Sequence, residues 1–226
     1  KEVAARLTES LLEVYHENRV NTPYDPNPQD AARRKLKNGV LGYLMSRQNP
    51  EMLALGVAQF EGADNMTDMI AALACLKDIA GTERESAFAA FYDRWRDDAL
   101  VLDKWFSLQA MSSLPDTLSV VEDLLGHPAF SMRNPNKVRA LIGAFCAGNQ
   151  LRFHSPDGTG YEFLASRILE LDALNPQVAA RLLAPLGQWR RFDTSRQKLM
   201  RGELERILAK TALSRDVYEV ASKSLG

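Results

Sequence analysis

Asn175-Pro176-Gln177-Val178-Ala179-Ala180-Arg181-Leu182-Leu183-Ala184-Pro185 announces a helix in its first two residues. An asparagine side chain accepts from orphan amides of the first turn. A proline at the first helical position has no amide to leave unsatisfied. At about 100° per residue, Val178, Ala179, Leu182, Leu183 and Leu186 cover one arc, and Gln177 and Arg181 stand one turn apart on the other side. The same start recurs at Asn27-Pro28, Asn49-Pro50 and Asn134-Pro135. Thr82 with Glu85 and Thr159 with Glu162 have capping-box spacing. Gly126, Gly148 and Gly187 mark stops.

Working outward, 3.6-residue periodicity runs through the chain, and no stretch alternates β-branched residues as a strand does. The spacing predicts helices over 2–17, 29–46, 50–60, 65–80, 83–98, 99–112, 116–125, 135–147, 160–174, 176–184, 194–211 and 214–224. Leu7, Leu11, Leu12 and Tyr15 form the apolar stripe of the first. Helices of this length with short loops make antiparallel neighbours. Two of them fill roughly 35–45 residues, the size of a helical-hairpin repeat. With no repeated consensus, the expectation is all-α: an irregular α-solenoid, a curved superhelical array of antiparallel helix pairs. Residues 1–226 are read as a single C-terminal helical domain, a fragment of a longer chain. The chain opens on Lys1 in what reads as mid-protein helix.

Composition bounds the function. The chain has 226 residues, 46% apolar and 25% charged, with 28 basic and 29 acidic residues for a net charge of −1. No global field favours nucleic acid or an anionic membrane, and no apolar run reaches the ~18 residues of a membrane span. Cys75 and Cys146 lie in apolar helical stretches and read as buried thiols; their spacing permits a disulfide and demands none. With no secretion signal, the expectation is a reducing, cytoplasmic setting. The basic run Arg33-Arg34-Lys35-Lys37 shares its helix with Leu36, Val40 and Leu41 as the apolar side, and reads as a solvated face, with a phosphate-binding patch as the alternative. Trp95, Trp105 and Trp189 read as core or half-buried.

Catalytic signatures are sparse. His16, His127 and His154 are far apart and fall in no His-Glu-x-x-His pattern, so no metal ligand is assigned in this chain. Asp157-Gly158-Thr159-Gly160 is too short to cradle phosphate and reads as a turn. No catalytic residue is assigned. Two readings of the Gln177 and Arg181 face stay open: plain solvent exposure, or a polar pair facing a cleft where a guanidinium can grip a carboxylate. Arg139 sits at the edge of the stripe formed by Val138, Leu141, Ile142 and Phe145.

From Asn134 to Leu225 the chain resembles the C-terminal helical domain of the bacterial aminopeptidase N family, zinc aminopeptidases of the gluzincin class. The matching residues are Arg133-Asn134-Pro135-Asn136-Lys137-Val138-Arg139, and Phe153-His154 through Asp157-Gly158-x-Gly160-Tyr161. Asn175-Pro176-Gln177-Val178-Ala179-x-Arg181-Leu182, Arg191-Phe192-Asp193 and Arg196-Gln197 continue the match. Thr82-Glu83-Arg84 and Phe91-Tyr92-x-Arg94-Trp95 agree more loosely, and the first 80 residues only weakly. The resemblance implies a non-catalytic domain that closes over an upstream catalytic domain of the same chain and gates peptide access. It implies a cavity lined by Gln177 and Arg181, with Arg139 a second candidate for the wall. Zinc, the glutamate base and the amine-binding loop belong to the upstream part in that family, so this fragment carries no cofactor and its partners are that part and peptide substrates. The alternative is an autonomous helical-repeat scaffold that binds a protein partner through a concave face.

Overall fold

The computed structural model describes residues 2–226. Its contacts divide into two units, Lys1–Trp95 and Arg96–Gly226. The helices of the first are α1 (Glu2–Arg6), α2 (Thr8–Glu17), α3 (Pro28–Met45), α4 (Pro50–Gly62), α5 (Met66–Leu76) and α6 (Thr82–Trp95). The second holds α7 (Ala99–Ala110), α8 (Thr117–Leu125), α9 (Pro135–Val138), a π-helix (Arg139–Gly148), α10 (Gln150–Phe153) and α11 (Thr159–Asp172). It continues with α12 (Pro176–Leu182), α13 (Ala184–Gly187), a 3-10 turn (Trp189–Arg191), α14 (Thr194–Leu208) and α15 (Arg215–Leu225). The chain is all-helical, with no strand among the described residues.

Local chemistry sets the starts. Asn27, Asn49, Asn134 and Asn175 accept from the amides of Asp30 (2.8 Å), Met52 (2.9 Å), Asn136 (2.9 Å) and Val178 (3.2 Å). Each proline follows its cap as expected. The box expected at Thr159 is replaced by a different start. Gly158 sits in the left-handed region (φ 78°), and the Asp157 carboxylate accepts from both the amide and the hydroxyl of Thr159. Thr82 opens α6, with its hydroxyl on the Glu83 carboxylate rather than on Glu85.

The helices depart from the expected spans at several points. Helix 2–17 breaks at Leu7, because the Thr8 hydroxyl donates back to the Ala4 carbonyl at 2.7 Å and also accepts from Arg47. Such back-bonding bends helices, and Leu7 leaves the stripe for solvent. Residues expected as α-helix after Val138 wind as a π-helix, with hydrogen bonds reaching one residue further back. Ser107 on α7 donates to the Ala140 carbonyl inside that segment at 2.9 Å, competing for an acceptor of the helical ladder. α10 falls between the expected helices 135–147 and 160–174, where no helix is expected. It is capped by Asn149, whose buried amide donates to the carbonyls of Ala110 and Ser112.

Within each unit, consecutive helices pack on each other and on one further along: α3 with α5, α11 with α14, α12 with α15. Leu41, Leu44, Met52, Leu73, Leu76 and Phe91 are fully buried in the first unit. In the second, Phe145, Phe153, Phe163 and Tyr161 meet edge to face at 5.3–6.1 Å, the preferred geometry for aromatic pairs. Trp105 and Trp189 are buried and Trp95 half-buried. The chain's end is clasped: the Trp189 indole N–H donates to the Ser224 carbonyl, and Arg190 donates to the carbonyls of Ser224 and Leu225. A cation there complements the negative end of α15.

Candidate functional site

α12 carries the pair picked out by periodicity. Ala179 and Leu182 are buried, and so are Leu183 and Leu186 just beyond. They face α11 and α15. Gln177 and Arg181 lie on the opposite, exposed side. Among the described residues neither side chain has a hydrogen-bond or ion-pair partner. An unpaired guanidinium beside an amide on one helix face has its full donor set available to a carboxylate or a carbonyl.

Arg139 is exposed on a different element, the first residue of the π-helix. Its guanidinium is engaged locally, donating to the Pro135 carbonyl at 3.3 Å and to the Asn136 side chain. The helix bearing Gln177 and Arg181 and the one bearing Arg139 both pack on α11. The structure brings the first two together on one face and holds Arg139 by its own turn.

The connector between α10 and α11 is built inward. His154 stacks on Phe192 with ring centroids 4.2 Å apart, and its Nδ1 lies 2.8 Å from the hydroxyl of fully buried Tyr161. Arg196, paired with Asp193 at 2.6 Å, donates to the His154 carbonyl. Burial, and then the Arg196 guanidinium, push the imidazole below its ordinary value. Such a histidine binds its proton more weakly folded than unfolded, so its contribution to stability is complete above the unfolded value and is lost as pH falls through the folded one. Tyr161 meets it directly, and Arg196, itself paired with Asp193, meets its carbonyl. Urea midpoints should fall between about pH 7.5 and pH 5.5, and His154→Gln should flatten that slope. The slope left by the variant belongs partly to His127, also depressed by burial.

Sequence reasoning missed a polar floor in the first unit. Arg34 and Lys37, expected in solvent, are 4% and 6% exposed. Lys37 Nζ lies 2.7 Å from the Asp68 carboxylate, which also accepts from the amides of Asn38 (2.8 Å) and Asn65 (3.2 Å). Gln59 donates to Asn38 and to the Asp68 carbonyl, and accepts from the Tyr15 hydroxyl at 2.9 Å. Burial pushes the Tyr15 phenol up; Arg19 opposes that and Asp68 adds to it. The floor opens into a cleft of about 480 Å³. Its signal lay in Asp68 and Gln59, polar residues on otherwise apolar helix faces.

No group of three or more His, Cys, Asp or Glu side chains gathers at ligand spacing among the described residues. The donor set therefore does not fit zinc. Cys146 is buried, Cys75 half-buried, and both are free thiols. Burial raises Cys75 to about 11 and Cys146 well above the ordinary thiol value, so neither is an activated nucleophile. No described helix is long and apolar enough to cross a membrane.

With this geometry in place, the whole chain, residues 1–226, matches the model described as Domain of unknown function (DUF3458_C) ARM repeats. The chain belongs to the DUF3458_C ARM-repeat family. Aminopeptidase N of Caulobacter vibrioides is 43% identical over 224 residues, 99% of this chain and 26% of that protein. Aminopeptidase N of Escherichia coli K12 is 40% identical over 223 residues, again 26% of its length. The crystal structure of Legionella pneumophila aminopeptidase A in complex with aspartic acid superposes with a TM-score of 0.90 at 32% identity, over 99% of this chain and 27% of that one. This DUF3458_C chain thus spans about a quarter of the length of these relatives. The resemblance read from Asn134 onward extends over nearly the whole chain, including the first 80 residues where the sequence motifs were weak.

Proposed function

We propose that this chain is the C-terminal helical domain, residues 1–226 taken as one domain, of a cytoplasmic zinc-dependent aminopeptidase. In this reading it closes over the catalytic part, lines an internal cavity and gates peptide access. The observation that carries it is 39–43% identity along essentially the whole chain to proteins named aminopeptidase N. Zinc would supply an activated water for attack on the first peptide bond, held by residues outside this chain.

What this chain's own residues do is bind and exclude. Gln177 and Arg181 offer amide and guanidinium donors to the carbonyls or terminal carboxylate of a peptide. Arg139, held by Pro135 and Asn136, adds fixed positive charge to the wall. The catalytic roles stay with the upstream part, and no residue here touches the reacting bond.

Arg181→Ala in the longer protein tests the reading. Loss of a charge-assisted contact is worth about 1.5–3 kcal/mol, so kcat/KM on tri- to pentapeptides should fall about tenfold or more, mainly through KM. Zinc content and turnover of a single aminoacyl reporter should hold. Unchanged kinetics at every peptide length would remove Arg181 from the cavity wall.

The ARM-repeat character of the family model favours one second reading, a helical scaffold for a protein partner. A reading frame with no His-Glu-x-x-His helix upstream would favour that scaffold over the peptidase.

A further inference from the structure

The polar cleft of the first unit has no part in the reading above. It is lined by α2 and the segment after it, by α4, and by the start of α5, with Lys37 of α3 at its floor. Its volume of about 480 Å³ lies within the range of small-molecule sites.

Three features separate it from an ordinary surface dent. Lys37 is buried, and an ammonium has three donors. One of them meets Asp68, and Lys37 also lines the cleft, which places its positive charge at the cleft floor. The floor is fixed by mutual hydrogen bonds among Asp68, Asn38, Gln59 and Tyr15. The wall is fixed too: Arg33 donates to the carbonyls of Glu17 and Arg19, while Arg34 donates to the Asp25 carbonyl and lies over the Tyr24 ring. Thus Arg33 and Arg34 of α3 staple the segment that runs from Glu17 to Asp25. A site whose polar groups are already immobilised loses little entropy when a ligand arrives.

The charges around the rim define the ligand. Asp68 is consumed by Lys37 and two amides. Two exposed side chains of opposite sign remain: Arg19, without an ion-pair partner among the described residues, and Asp64, held only by Asn65 at 2.9 Å. Val20, Pro23, Leu55 and Ala58 supply apolar surface beside them.

We propose that this cleft binds a small zwitterion, a free amino acid or dipeptide, with its carboxylate toward Arg19 and Lys37 and its ammonium toward Asp64. The apolar wall takes the side chains. The site is independent of the Gln177 and Arg181 face and does not rest on the aminopeptidase reading.

Calorimetric titration of the chain with L-alanyl-L-alanine tests it. A saturable heat is expected. N-acetylation or C-terminal amidation of the ligand should each weaken binding about tenfold, the worth of one charge-assisted contact. Arg19→Gln should weaken the free dipeptide to the same extent yet leave the amidated one unaffected, and Asp64→Asn should do the same with the acetylated one. Both positions are exposed, so melting temperature should hold. Absence of saturable heat, equal binding of the doubly capped ligand, or insensitivity to both variants would overturn the proposal. So would a loss of binding on Arg181→Ala, which would place the ligand on α12 instead.

Discussion

Gly160→Ala is expected to destabilise the second unit by about 3 kcal/mol or more, at the upper end of overpacking costs. A Cβ on Gly160 would sit 2.3 Å from the Phe153 carbonyl oxygen and 2.9 Å from its carbon. Both are backbone atoms, and both belong to the last residue of α10, so no rotamer change relieves the clash. Relief requires separating α10 from α11, which pulls Tyr161 from His154 and from Phe153, against which its ring packs at 5.3 Å. At roughly 2–4 °C per kcal/mol for a protein of this size, the melting temperature should drop by roughly 6–12 °C. Gly202→Ala is the matched control, since a Cβ there meets nothing within 4 Å. A small effect at Gly160 would mean that the connector is loosely docked.

That contact also shows what a sequence hides. The Asn-Pro starts were legible because capping needs only neighbours: the asparagine oxygen reaches amides two or three residues on. The buried arc of α12 was legible for the same reason, because a single helix fixes the relative direction of Gln177, Arg181, Ala179 and Leu182. Non-local partners were not. Gly160 read as part of a turn, and its necessity comes from a carbonyl seven residues earlier folded back against it. The π-helix from Arg139 depends in part on Ser107, on another helix. The capping box expected at Thr159 gave way to Asp157, because Gly158 in the left-handed region turns the Asp157 carboxylate onto the Thr159 amide.

The α3 misreading has the same root. Periodicity set Leu36 with Val40 and Leu41 on the apolar side. In the fold Leu36 is half exposed, while Lys37, Val40, Leu41 and Leu44 are buried. The buried face is turned by one residue because Lys37 has a partner 31 residues away. Hydrophobicity alone ranks leucine over lysine for burial, but a lysine can be buried when it is paired and hydrogen-bonded.

Lys37→Met should therefore cost the first unit about 3–5 kcal/mol, the usual penalty for removing one member of a buried ion pair. Methionine fills much of the same space, so the loss is electrostatic. The Asp68 carboxylate would keep Asn38 and Asn65 as donors but lose its counter-charge in a site where its residue is 8% exposed. Asp68→Leu alone should be comparably costly, because it strands an ammonium and leaves Asn38 without its acceptor. The double variant, Lys37→Met with Asp68→Leu, should regain most of the loss, since a matched apolar pair relieves both desolvation penalties. Chemical denaturation of the three variants measures the coupling directly. A double variant as unstable as the sum of the singles would show that Asn38, Gln59 and Tyr15, and not the charge pair, hold this floor together.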